Sequence, residues 1–171
     1  YAALAREGVY QKYYDVLKVE DPTGKVLEEK EQPEQKRILD AQVVRQISNV
    51  LSDNDARAYI FGVNNSLTLG SRPVAAKSGT TNDYKDSWLM GYTPQLVTGV
   101  WVGNNDNKPM NKATGANAAG PIWQSYMNKI LAAYPVEPFV APDTVPCDKI
   151  MICGQLAREV TIPIDRTTGK P

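Results

Sequence analysis

Between Pro73 and Asn105 the chain reads PVAAKSGTTNDYKDSWLMGYTPQLVTGVWVGNN, and this stretch restricts the fold more narrowly than any other. Three short segments are separated by turn residues, first Asn82 to Lys85 and then Thr93-Pro94-Gln95, a pattern that predicts three antiparallel strands. The second and third, Trp88–Tyr92 and Leu96–Val102, show little apolar/polar alternation, which predicts a sheet covered on both faces by helices. The first differs. It carries Lys77, Gly79 and the hydroxyls of Ser78, Thr80 and Thr81 where a core strand would carry Val and Ile. That composition suits a strand along which a ligand lies.

The flanking sequence supplies the helices. From about Arg37 to Ser52, apolar residues at Ile38, Leu39, Val43, Val44, Ile47, Val50 and Leu51 fall at spacings of three and four, predicting an amphipathic helix that covers one sheet face. A second helix begins at Gly120-Pro121, with the stripe Ile122, Trp123, Tyr126, Met127, Ile130 and Leu131. Upstream, Tyr1–Glu7 reads as a helix end closed near Gly8. Val16–Val19 and Lys25–Leu27 flank the turn Asp21-Pro22-Thr23-Gly24 as a peripheral hairpin. Glu28 to Gln35 reads as a charged loop, Arg57 to Gly70 as a loop with a turn at Gly62–Asn65, and Asn104 to Ala119 as a flexible surface loop. Beyond Ala133 the prolines 135, 138, 142 and 146 predict an extended tail, so the chain divides into 1–134 and a Pro-rich 135–171.

Composition removes several chemistries. With 19 basic and 19 acidic residues the net charge is zero, which points away from nucleic acid and anionic membrane surfaces as partners. Histidine is absent, excluding a Ser-His-Asp triad and a His-ligated metal and leaving Lys, Tyr, Asp or Glu for proton transfer. No apolar run approaches the roughly 18 residues of a membrane span. The chain starts at Tyr1 and is read as a fragment of a longer protein.

Lys77-Ser78-Gly79-Thr80 fits the Lys-(Ser/Thr)-Gly signature of penicillin-binding proteins and serine β-lactamases. Such a triplet alone is common; its setting is specific. Asn82-Asp83, Asp86-Ser87-Trp88, Gly91-Tyr92-Thr93-Pro94 and Gly99-Val100-Trp101-Val102-Gly103 follow in order, and the series closely resembles the C-terminal half of the transpeptidase domain of class A, bifunctional penicillin-binding proteins. At the other end Arg6-Glu7 departs from the Asn-Gly step usual there, although Tyr1, Ala2, Ala5 and Gly8 still suit the pattern.

The resemblance implies an α+β domain, an antiparallel sheet flanked by helices as an incomplete part of the β-lactamase/transpeptidase fold. It implies acyl transfer on peptidoglycan stem peptides ending in D-Ala-D-Ala, through a serine ester that β-lactams trap, with no cofactor or metal. Lys77 and the backbone N–H of Thr80 would be catalytic, as proton-relay cation and oxyanion donor; Ser78, Gly79, Thr80 and Thr81 would bind substrate. Extracytoplasmic placement is implied too, with a membrane anchor and a glycosyltransferase domain outside this chain. There a disulfide between Cys147 and Cys153 would persist, the alternative being free thiols. None of Ser48, Ser52, Ser66, Ser71, Ser78, Ser87 or Ser125 has a lysine three residues on, so the Ser-x-x-Lys nucleophile must come from the missing N-terminal part of the same domain. Ser52-Asp53-Asn54 spells the superfamily's second signature, but lies too near the Lys77 strand and in a helical pattern, and is read as a helix end. Without the flanking match, Lys77 would be a solvated strand lysine. A module that kept the fold without catalysis is the competing function.

Overall fold

The computed structural model describes residues 1–31 and 33–144, and the fold is α+β. Cys147, Cys153 and Val160–Arg166, a segment whose sequence reads as one more strand, lie outside the described residues. Along the chain come α1 (Ala2–Ala5), β1 (Val9–Gln11), β2 (Lys18–Glu20), β3 (Val26–Glu29), β4 (Gln35–Arg37), α2 (Ala41–Ser52), α3 (Asn54–Phe61), β5 (Ala75–Thr80), β6 (Asp86–Tyr92), β7 (Val97–Gly103) and α4 (Gly120–Leu131).

The three strands expected from the central stretch form one antiparallel sheet in the order β5-β6-β7, so among the described residues β5 is an edge strand. Register places Ser78 opposite Leu89 and Leu89 opposite Val100 on one face, and Lys77 opposite Met90 and Met90 opposite Gly99 on the other. The Leu89 face packs on α4. Trp123, Met127 and Leu131 are buried there with Leu67, Leu69, Val74, Ala76, Leu89 and Ala119, while Ile122 and Tyr126 of the expected stripe are exposed. Contact is close: a β-carbon at Gly91 would lie 2.9 Å from Trp123 Cε2, and the indole Nε1–H donates to Thr98 O at 3.1 Å.

The opposite face is covered at one end only, a correction to the expected double cover. There α2 lays Val44 and Ser48 over the sheet, and Ser48 Oγ and Tyr92 Oη are hydrogen-bonded at 3.0 Å. Burial beneath α2 pushes the Tyr92 phenol up from its ordinary pKa, opposed by the Ser48 hydrogen bond. Farther along this face Trp88 and Trp101 pair across β6 and β7 with ring centroids 6.4 Å apart, each 44% exposed. The buried side of α2 is narrower than its pattern predicts, since Val43, Ile47 and Val50 are exposed.

Four segments differ from the sequence reading, three because local capping hydrogen bonds outweighed composition and one because of strand pairing. The helix expected from Arg37 starts at Ala41: Asp40 accepts from the N–H groups of Gln42 (2.8 Å) and Val43 (3.2 Å) and caps it. Residues 35–37, placed in the charged loop and the helix, instead pair with β1, and Glu28 and Glu29 of that loop extend β3. Arg57 to Phe61, expected as loop, is the second half of α3, for which Asp53 accepts from Ala56 N at 2.9 Å. The expected surface loop ends in a π-helical turn, Gly115–Ala119, with Gly115 and Ala119 buried, closed by reciprocal bonds between Thr114 and Asn117. The peripheral hairpin forms as expected around Asp21, which accepts from Thr23 N (2.8 Å) and Lys25 N (3.0 Å).

Residues 135–144 have no regular secondary structure but lie against the domain. Phe139 meets Tyr92 edge-on at 5.7 Å, and Asp143 N donates to Gln42 Oε1 at 3.0 Å. Arg72 donates to the carbonyls of Leu131 (3.0 Å), Tyr134 (2.7 Å) and Pro135 (2.8 Å), satisfying acceptors left over at the end of α4.

Candidate active site

The hydrogen-bond register of the β5-β6 hairpin decides what β5 presents. Thr81 N donates to Asp86 O at 3.1 Å, so these two form a hydrogen-bonded pair. Pair types alternate along an antiparallel ladder. Gly79–Trp88 and Lys77–Met90 are therefore hydrogen-bonded pairs, whereas Thr80–Ser87, Ser78–Leu89 and Ala76–Gly91 are not. The N–H and C=O groups of Ala76, Ser78 and Thr80 consequently point away from β6, along the open edge of the sheet. An extended peptide would find there a row of backbone groups that no strand among the described residues pairs.

Lys77 belongs to the Met90 face, but its ammonium bends to that same edge and donates to Ser78 O at 2.6 Å. Among the described residues no carboxylate forms an ion pair with it. A cation held at a strand edge by one carbonyl keeps two N–H donors for an anion. A groove of about 320 Å³ runs beside it, lined by Val50, Leu51, Asp53, Ala56, Arg57, Phe61, Leu67, Ala76, Lys77 and Ser78. Arg57 ties the groove wall together through the carbonyls of Leu51 and Asp53, and its burial lowers the guanidinium pKa against the opposing Asp53 charge.

The five singled-out residues are contiguous on β5 and the turn after it, yet they do not share a face. Lys77 and Gly79 lie on the Trp88 side; Ser78 and Thr80 lie on the α4 side. What unites Lys77, Ser78 and Thr80 is the edge. Thr80 Oγ1 accepts from Gly115 N at 3.0 Å. Thr81 is engaged within the hairpin, its hydroxyl donating to Asp86 Oδ2 at 2.9 Å and accepting from Asp86 N at 2.8 Å. Asp86 also accepts from Trp101 Nε1–H at 2.8 Å, and these bonds, the indole's foremost, hold its carboxyl below the usual range.

The Ser52-Asp53-Asn54 triplet is a helix junction. Ser52 closes α2 and donates to Asn49 O at 3.2 Å; Asp53 caps α3; Asn54 donates to Val63 O at 3.0 Å and accepts from Asn65 at 2.9 Å.

A sequence model described as the penicillin binding protein transpeptidase domain matches residues 1–128. The chain belongs to that family. Penicillin-binding protein 1A of Aquifex aeolicus is 36% identical over 144 residues, 83% of this chain. The protein of the same name from Mycolicibacterium smegmatis is 35% identical over 161 residues, 85% of this chain. The chain spans 19% of the length of each. Among solved structures, the PonA1 protein of Mycobacterium tuberculosis in complex with penicillin V superposes with a TM-score of 0.70 at 30% identity, covering 85% of this chain and 40% of that one. Penicillin-binding protein 1A of Haemophilus influenzae, at 21% identity and a TM-score of 0.66 over 83% of this chain and 27% of that one, shares the fold. The transpeptidase family and the α+β fold are those expected from the Lys77 strand and its flanks.

The sequence reading passed over two parts of the site. One is α3, whose Ala56, Arg57 and Phe61 complete the groove; its signal was Asp53 as a cap ahead of Asn54. The other is the Gly115 turn behind Thr80, announced by Thr114 three residues before Asn117.

Proposed function

We propose that, in the intact protein, this chain forms one wall of a serine D,D-transpeptidase active site that cross-links peptidoglycan stem peptides through an acyl-serine intermediate. The supporting observation is the open edge of β5, to which the Thr80 N–H is directed and over which the Lys77 ammonium is held. A peptide ending in D-Ala-D-Ala would lie antiparallel along that edge, its backbone pairing with Ser78. Lys77 would attract its terminal carboxylate and support the proton relay of the nucleophile, with Ser78 and Thr80 adding hydroxyls. The Thr80 N–H would be one oxyanion donor, and the N–H of the serine itself the second. Hydrogen bonds to charged groups are worth about 1.5–3 kcal/mol each, so this edge orients a carboxylate strongly.

The serine must come from a Ser-x-x-Lys outside these 171 residues, because the sequence holds none. With it we place a membrane anchor and a glycosyltransferase domain, and activity on the outer side of the cytoplasmic membrane. β-Lactams would occupy the same edge and acylate the same serine. No cofactor or metal enters this chemistry. The competing reading is a module that retained the fold without catalysis.

Labelled penicillin separates them. The 171-residue chain alone should form no covalent adduct, whereas the intact protein should be acylated once, at a serine followed three residues later by lysine. A stable adduct on the chain alone would contradict the assignment of the nucleophile. An intact protein without an adduct would favour the non-catalytic module.

A further inference from the structure

Behind β5, on the α4 side, the backbone of Gly115 lies against the peptides of Gly79. A β-carbon at Gly115 would lie 2.7 Å from Gly79 O and 2.8 Å from Gly79 N, and would collide with Trp88 O as well. No side chain fits, and the colliding atoms are all sheet backbone, which cannot swing aside. The same Gly115 donates its N–H to Thr80 Oγ1 at 3.0 Å. A hydroxyl has one proton. Because an N–H already points at this oxygen, the proton must point elsewhere, and Thr80 is exposed on its other side.

The turn is anchored independently of the strand edge. Ser87, fully buried, donates to Thr114 O at 2.8 Å and accepts from Ala119 N at 3.1 Å. Ser66 Oγ donates to Ala116 O at 2.6 Å. Asn117 accepts from Thr114 N at 2.6 Å and donates to Lys112 O at 3.1 Å. These bonds tie Gly115 to β6 and to the Ser66 segment, so it is a fixed stop against which the Gly79–Thr80 peptide rests.

We propose that the Gly115 turn is a positioning element of the acylation site: it seats the Gly79–Thr80 peptide from behind and fixes the Thr80 hydroxyl with its proton turned toward the ligand. Gly115 touches no substrate; it acts through Thr80. The inference rests on the transpeptidase reading, which makes the Thr80 N–H an oxyanion donor. A displacement of well under an ångström is enough, since such donors work within a narrow range of distance.

The test measures acylation of the full-length protein by a β-lactam, separating the first-order constant at saturation, the half-saturating concentration and the acylable fraction. Gly115→Ala should lower the first-order constant tenfold or more while the half-saturating concentration changes less than threefold. Thr80→Val, which removes the hydroxyl, should be similarly slow, and Thr80→Ser should recover to within about threefold of wild type. Met127→Ala, a core change on α4 away from β5, controls for mere destabilisation: it should lower thermal stability and leave the rate constant unchanged. Should Gly115→Ala not fold, Asn117→Ala loosens the turn without adding atoms, and a three- to tenfold slower constant is expected. Wild-type rate constants in whichever of these two variants folds overturn the proposal, even if the acylable fraction falls. If Lys77→Ala is slow while they are normal, only the positioning role fails. If wild type is not acylated, or Lys77→Ala is as fast as wild type, the transpeptidase reading fails and takes this inference with it.

Discussion

The seating of β6 on α4 offers a quantitative check on the packing that holds the site. Gly91→Ala would place a β-carbon 2.9 Å from Trp123 Cε2, with Cζ2 nearer still. The indole cannot retreat, because it is fully buried and donates to Thr98 O at 3.1 Å. Overpacking of a core typically costs about 1–3 kcal/mol. Displacing the ring also weakens its hydrogen bond, worth about 0.5–1.5 kcal/mol. The expected destabilisation is about 2–4 kcal/mol, or a fall of roughly 4–16 °C in Tm for a domain of this size. In a Trp123→Phe background the colliding atoms are gone. There Gly91→Ala should cost less than about 1 kcal/mol, giving a coupling of about 2 kcal/mol in a double-mutant cycle read by urea unfolding. Additive effects of the two substitutions would refute the collision and with it the described seating of the sheet on α4.

Two further outcomes are expected. Ser52→Ala in the full-length protein should leave β-lactam acylation within about threefold of wild type, since the hydroxyl donates to Asn49 O within its own helix; a hundredfold loss, the size expected for a proton-relay group, would assign it to the catalytic machinery. Asp86, whose carboxyl is held below the usual range by Trp101 and then Thr81, should stabilise the fold above the unfolded carboxyl pKa of about 3.9 and lose that contribution as pH falls through its lower folded value. Asp86→Asn should therefore melt below wild type at pH 7 and converge with it toward pH 2; a gap that stays constant over that range would dissociate the carboxylate charge from hairpin stability.

The strands were legible because their signals are local. Short apolar runs bounded by Asn, Asp, Gly and Pro turns place β5, β6 and β7 nearly to the residue, and the Lys77 segment could be singled out by what a core strand would not contain. Sequence did not reveal where each side chain meets the edge. Lys77, Ser78 and Thr80 alternate between two faces, and only the pairing of Thr81 with Asp86 shows that the backbone of Thr80 faces outward. Caps were read too weakly: Asp40, Asp53 and Thr114 each start a helix that composition assigned elsewhere or to loop. The periodicity of α2 predicted a broad buried stripe, but a period of 3.6 says which residues share a side, not how far a three-stranded sheet extends beneath them. Val50, on that stripe, is 71% exposed.

The most direct measurement concerns Lys77. Its side chain is exposed and, among the described residues, bonded only to Ser78 O, so Lys77→Ala should change stability by less than about 0.5 kcal/mol. If the ammonium serves the reaction at the β5 edge, its loss removes a preorganised charge, typically worth about 10²–10³ in rate. Arginine keeps the charge but puts a wide planar fork where a compact ammonium bends over the strand, so Lys77→Arg should be intermediate. The assay is the β-lactam acylation rate of the full-length protein for wild type, Lys77→Ala and Lys77→Arg, with thermal unfolding alongside. A hundredfold or greater loss for alanine, a smaller one for arginine and unchanged unfolding are the expected result; three equal acylation rates would show that β5 is scaffold and not the catalytic wall.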